Sequence, residues 1–123
     1  MKKALILIAH GARDPDWALP LCRVYEAVKA QRPDQRVELA FLDFMQPDLH
    51  ECAQSLLAEG FGEIVVVPLF LAQGGHLKKD IPEILDELRL HNPQASFELT
   101  GPVGEAESVV QAMAAHVLSL TGE

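Results

Sequence analysis

Cysteine is scarce in this chain: Cys22 and Cys52 are the only two among 123 residues. Two thiols thirty positions apart supply neither a disulfide framework nor the ligand set of a structural zinc site. Cations are scarce as well. Ten lysines and arginines stand against eighteen aspartates and glutamates, a formal net charge of −8. That balance argues against the basic face that bulk nucleic-acid binding needs. It leaves an anionic small molecule open, because salt screens exposed charges beyond ~8 Å and the residues nearest a site decide. Membrane-length apolar runs are missing too. The run at residues 4–9 follows Lys2 and Lys3 like a secretory leader, but it is short and is ended by His10-Gly11-Ala12-Arg13-Asp14. Repeats, low-complexity tracts and linkers are also lacking. The expectation is one domain over residues 1–123, located in the cytoplasm, with no membrane or nucleic-acid partner.

Hydrophobic residues make up 49% of the chain, enough for a packed core. They fall into four strand-like runs, at residues 3–9, 36–42, 63–69 and 95–100. The first and third are apolar without a break, as strands covered on both faces should be. The second alternates more and the fourth is short and polar, so both read as edges. Helical patterns lie between them. The first spans 17–31, with Pro20 tolerable only near its first turn. The second spans 49–59, with Asp48 as N-cap and Gly60 as stop. The third starts after Asp80, where Asp80-Ile81-Pro82-Glu83 has the form of a capping box, and ends near His91. The fourth spans 106–120.

This alternation predicts an α/β fold, a four-stranded parallel sheet of order 2-1-3-4 with helices on both faces. Right-handed crossovers then put the first helix on one face and the second on the other. Cys22 and Cys52 would be separated by the sheet and stay reduced.

Open parallel sheets bind ligands beyond the carboxyl ends of their strands, where the strand order reverses. Here that point lies between strands one and three. The loop after strand one begins with His10, and the loop after strand three, residues 70–79, carries His76 behind Gly74 and Gly75. Of five histidines, these two alone open onto one crevice. His50, His91 and His116 have ordinary helical placements, His91 favoured by a helix C-terminus. Gly11 suggests a sharp turn or close backbone approach by a ligand. Neutral imidazole can bind a divalent metal or accept a proton. Two histidines make an open, incomplete site, suited to a metal that is handed on. Asp43, after strand two, could add an oxygen ligand or simply shape its turn. Arg13, Lys78 and Lys79 cluster in the histidine loops and could capture carboxylates, aided by helix N-termini at the same rim.

The segments ALILIAHGARDP, FLDFMQPDL and VVVPLFLAQGGHLKKDIPEIL resemble the small CbiX-type sirohydrochlorin chelatases over nearly the whole chain. The resemblance implies a chelatase-like three-layer sandwich. It implies an enzyme, a cobaltochelatase-type lyase that inserts a divalent metal into sirohydrochlorin, a tetrapyrrole with eight carboxylates. Cobalt is the first choice, with iron or nickel next, in cobalamin- or siroheme-type biosynthesis. The metal is a substrate, and no permanently bound cofactor is implied. His10 and His76 fall on the family's two active-site histidines, which hold the metal and accept pyrrole protons. Short members resemble one lobe of longer chelatases, so a homodimer with the macrocycle between lobes is implied. Two departures stand out: Ala12 where the family commonly has serine, and Asp43 where it often has glutamate. A histidine phosphatase lacks support, because Ala9 stands where its arginine would be. A non-catalytic tetrapyrrole or metal carrier of the same fold is the remaining alternative.

Overall fold

The computed structural model describes residues 2–72 and 74–122, with His76 and Leu77 described by their backbone alone. Four strands, β1 (Lys3–Ala9), β2 (Arg36–Phe41), β3 (Glu63–Pro68) and β4 (Ser96–Leu99), form one parallel sheet of order β2-β1-β3-β4. This is the order expected from the apolar runs. Helices α1 (Leu19–Gln31), α2 (Leu49–Ala58), α3 (Gly75–His91) and α4 (Glu107–Ser119) follow the strands in turn.

The main core lies on one face of the sheet. Ala4, Ile6, Ile8, Ala40, Ile64, Val66 and Phe97 meet Leu49, Ala53 and Leu56 of α2 and Ile81, Leu85 and Leu88 of α3. The helical residues recur at three- and four-residue steps, so each helix turns one apolar stripe to the strands. The opposite face carries α1 over β2 and a small cluster of Ala9, Ala18 and Phe41, backed by Leu21, Leu39 and Met45. Cys22 is exposed and Cys52 buried, and neither is in a disulfide.

Four sequence expectations need correction. A 3₁₀ turn, Pro15–Ala18, precedes α1, so the first α-helix begins at Leu19 rather than Trp17. Asp14 caps that turn by accepting from the Asp16 N–H at 3.0 Å. The capping box belongs to α2, where Asp48 and Glu51 satisfy each other's backbone N–H groups. Asp80 caps nothing. Helix α3 already begins at Gly75, making Asp80 its sixth residue and Pro82 its eighth. The first helical bond there runs from the Lys78 N–H to the Gly74 carbonyl at 3.1 Å. The glycine pair reads as loop in the sequence, yet glycines are accommodated at a helix's first positions. Finally, β3 is not covered on both faces: its burial alternates, with Ile64 and Val66 buried and Val65 and Val67 half-buried. Among the described residues, no helix is long and apolar enough to cross a membrane.

Candidate metal-insertion site

The carboxyl ends of β1, β2 and β3 make one rim, and backbone hydrogen bonds extend the sheet slightly past the strands. Leu42 N–H donates to the Ala9 carbonyl at 2.9 Å, Asp43 N–H to the His10 carbonyl at 2.9 Å, and Leu69 N–H to the Ile8 carbonyl at 2.8 Å. The first residues after each strand are therefore held in register with their neighbours. His10 stands at the centre of this rim, one residue past β1.

The His10 side chain is exposed, and its ring lies 4.4 Å from the ring of Phe70, tilted by 40°. Phe70 itself is 4% exposed and belongs to the core. A buried aromatic thus lies in ring contact with an accessible imidazole.

Gly11 adopts φ +90°, and a Cβ there would come within 1.8 Å of the Asp43 carbonyl oxygen. Only glycine fits, for conformation and space together. The close approach is made by the protein's own chain, not by a ligand. It fixes the loop after β1 against the loop after β2. Asp43 then continues the turn, its carbonyl accepting from the Met45 N–H at 2.8 Å. The Asp43 side chain is exposed beside His10's backbone. Its backbone shapes the turn, as one reading of the sequence had it, while its carboxylate remains available at the rim.

Phe44, which sequence reasoning passed over, has φ 69° and is 65% exposed. A left-handed phenylalanine is uncommon, and its exposure removes the usual reason of core packing. The guanidinium of Arg13 lies 5.0 Å from its ring, within cation–π range. The pair joins the loop after β1 to the loop after β2, Phe44 following Asp43 directly in the chain. The exposed aromatic inside FLDFMQPDL was the available signal.

His76 is the second residue of α3, at the helix end that faces the rim beyond β3. Its side chain lies outside the described residues. Gly74 and Gly75 have no atom within 4 Å of a hypothetical Cβ, so the space beside them is open. Lys78 and Lys79 are exposed in the first turns of the helix rather than in a loop. Lys79 lies 3.9 Å from Glu83, an exposed pair one helical turn on, so it is partly engaged along the helix flank. Among the described residues no group of three or more metal-binding side chains forms. The other histidines behave as expected of structural positions. His50 lies 3.8 Å from Glu87, His91 Nδ1 is 3.0 Å from the Glu87 carbonyl, and His116 is exposed on α4.

A rim of this kind, with exposed histidine, free carboxylate, arginine on an aromatic and a helix N-terminus, suits a flat anionic ligand and a divalent ion. The CbiX family model matches residues 4–120. The chain belongs to the CbiX family. It is 34% identical over 119 residues to a sirohydrochlorin cobaltochelatase of Saccharolobus islandicus (strain L.S.2.15 / Lassen #1), covering 92% of this chain and 91% of that enzyme. It is 37% identical over 83 residues to a sirohydrochlorin cobaltochelatase of Methanococcus aeolicus, covering 68% of this chain but 58% of that enzyme. Among solved structures, a putative cobalamin-biosynthesis CbiX protein of Marinobacter aquaeolei VT8 superposes with TM-score 0.81 at 26% identity, covering 98% of both chains. The sirohydrochlorin chelatase SirB of Bacillus subtilis subspecies spizizenii, solved with cobalt, superposes with TM-score 0.83 at 28% identity. That match covers 97% of this CbiX chain and 51% of SirB, so the chain spans about half of SirB's length.

Proposed function

We propose that this CbiX protein is a sirohydrochlorin metal chelatase, inserting cobalt by first preference and iron or nickel next. The observation that carries the proposal is the near full-length match to a sirohydrochlorin cobaltochelatase. The exposed His10 at the strand-order reversal supports it physically. Insertion of a divalent ion into a free-base tetrapyrrole releases two pyrrole protons. In this reading His10 and His76 hold the incoming ion and take up those protons, and Asp43 offers an oxygen ligand. An imidazole is neutral over much of the cytosolic range and serves either task. Arg13, Lys78 and the α3 N-terminus, with Gly74 and Gly75 giving backbone access, hold the substrate carboxylates. Lys79 contributes less, because Glu83 stands beside it. The ion is a substrate, bound weakly enough to be handed on.

The proposal extends to assembly and place. Residues 1–123 form one chelatase-like lobe, and two copies close the macrocycle between their rims. The half-length match to SirB supports this count. The protein works in the cytoplasm, in cobalamin- or siroheme-type biosynthesis.

Anaerobic insertion assays with sirohydrochlorin and Co²⁺, Fe²⁺ or Ni²⁺ test the proposal through the change in the tetrapyrrole absorption spectrum. Protein-dependent turnover with at least one metal is expected. Tight binding of sirohydrochlorin with no acceleration for any metal would replace the enzyme with a carrier.

A further inference from the structure

Phe44 stands in a conformation that its residue type avoids. The Met45 N–H donates to the Asp43 carbonyl at 2.8 Å, and Phe44, the residue enclosed by that bond, has φ 69°. A hydrogen bond closed in this way around a positive φ is the rare and strained form of the γ-turn. Among the described residues, Phe44 is the one residue other than glycine with a positive φ. Glycine would take that φ without steric cost, and asparagine with little. A phenylalanine held there despite the strain is there for its ring. Core packing does not explain the ring, which is 65% exposed.

The backbone beneath the ring is firmly placed. The Asp43 carbonyl oxygen that closes the turn fills the space a Cβ on residue 11 would need, and the Asp43 N–H donates to the His10 carbonyl at 2.9 Å. Phe44 is therefore carried by a turn fastened to the loop that begins with His10.

The partner of the ring is the guanidinium of Arg13, 5.0 Å from its centroid. Three other cations lie over rings among the described residues, and each has a hydrogen bond as well. Lys2 Nζ donates to the Glu59 carbonyl, Lys29 Nζ to the Tyr25 hydroxyl, and Arg36 to the carboxylates of Glu38 and Glu59. Arg13 differs. Among the described residues its side chain makes no hydrogen bond and no ion pair. Its neighbour Asp14 accepts from the Asp16 N–H at 3.0 Å instead. A ring contact restrains an arginine while using none of its N–H donors. Those donors match a carboxylate, which a guanidinium binds through two parallel hydrogen bonds.

We infer that Phe44 is a positioning residue: its strained, exposed ring holds the Arg13 guanidinium in place, with its donors free for a carboxylate of the tetrapyrrole substrate. The inference rests on the chelatase reading above and specifies how one substrate carboxylate is gripped. A guanidinium already restrained loses less freedom on binding than a mobile one. The grip is on the periphery of the macrocycle, where the carboxylates are, and not on the nitrogens that receive the metal. It is the same before and during metal entry, so it acts on KM and leaves kcat alone.

Sirohydrochlorin binding without metal, followed by fluorescence quenching, tests this on the parent, Phe44→Leu, Arg13→Gln and the double variant. Phe44→Leu keeps an apolar side chain at the same φ, and its circular dichroism should match the parent's. Its Kd should rise about two- to fivefold, as loss of one exposed cation–π contact does. Arg13→Gln should raise Kd about tenfold or more, through loss of a charge-assisted pair. In the Arg13→Gln background, Phe44→Leu should add nothing. Phe44→Tyr restores a ring and should return the parental Kd. In steady-state insertion, Phe44→Leu should raise KM by the same factor and hold kcat. A parental Kd in either single variant, no rescue by tyrosine, or a fall in kcat at constant KM would overturn the inference and leave the chelatase reading standing. So would additive losses in the double variant, which would put Phe44 in contact with the macrocycle itself. A parent that binds sirohydrochlorin but inserts no metal would overturn the chelatase step alone, and a parent that does not bind it would overturn both.

Discussion

The imidazole of His10 rests against the buried ring of Phe70, with centroids 4.4 Å apart. Phe70 comes from the loop after β3, so the first histidine of the proposed pair is held by the segment that leads toward the second. Phe70→Leu keeps apolar volume and removes the ring contact. Stability should fall by about 1 kcal/mol. Metal insertion should fall more than that loss explains, with kcat reduced and KM for sirohydrochlorin little changed. Thermal unfolding and steady-state insertion, measured on the same preparation, check both parts. An unchanged kcat would remove Phe70 from any positioning role.

His10→Ala and His76→Ala should each abolish most insertion while far-ultraviolet circular dichroism stays that of the parent. His10 is exposed one residue past β1, and His76 occupies the second position of α3. Parental rates in both variants would refute the site assignment.

Glycines at the rim should divide into two classes. Gly11→Ala forces a Cβ to 1.8 Å from the Asp43 carbonyl at φ +90°. Left-handed strain alone costs roughly 1–2 kcal/mol, and relief of the clash must displace the Asp43 turn. Both melting temperature and insertion should drop. Gly74→Ala and Gly75→Ala meet no atom within 4 Å, so stability should hold within about 0.5 kcal/mol. Any loss of sirohydrochlorin affinity in these two then reports space used by the substrate, measurable by fluorescence quenching.

Asp43→Glu lengthens the side chain without disturbing the backbone bonds that fix its position. Its N–H bond to His10 and its carbonyl bond to Met45 are both main-chain. Melting temperature should stay within a few degrees of the parent. The ratio of cobalt to nickel or iron insertion should shift. An identical metal profile would exclude Asp43 as a ligand.

Cysteine reactivity follows burial. Desolvation pushes the Cys52 thiol up to about 12 from an ordinary value of 9.0. One thiol per native chain, the exposed Cys22, should react with a disulfide reagent at pH 8, and two after denaturation. The raised value also sets a sign for stability. The buried neutral thiol favours the fold fully below about pH 9, and that contribution fades as pH climbs from 9 towards 12. Cys52→Ala should therefore lose less stability than the parent over that interval, as seen in urea unfolding at a series of pH values.

The sheet was legible because its strands differ in apolar continuity. ALILIA and EIVVVP belong in the middle, and the polar SFEL belongs at an edge, which sets the order directly. Asp48 was legible as a cap because an acidic residue precedes a periodic run. The start of α3 was not, because Pro82 imitates a first-turn proline while Ile81, Leu85 and Leu88 continue a helix already begun at Gly75. His10 could be placed by topology alone. Its support by Phe70 could not, since a ring contact between residues sixty apart depends on packing. Phe44 was missed because nothing local in sequence demands a positive φ from phenylalanine. The half-buried face of β3 was hidden for the opposite reason: an apolar strand signals that a cover is needed, not how complete it is.

Pro82 has no amide hydrogen, so the Lys78 carbonyl loses the partner that a continuous helix would give it. The break falls between the first turn of α3 and the stripe that begins at Ile81. Sequence drift on the rim side of that break need not disturb the layer that stabilises the sheet. A lineage could therefore retune the entrance of this helix, residue by residue, for a different ion or a differently substituted ring while inheriting the same scaffold.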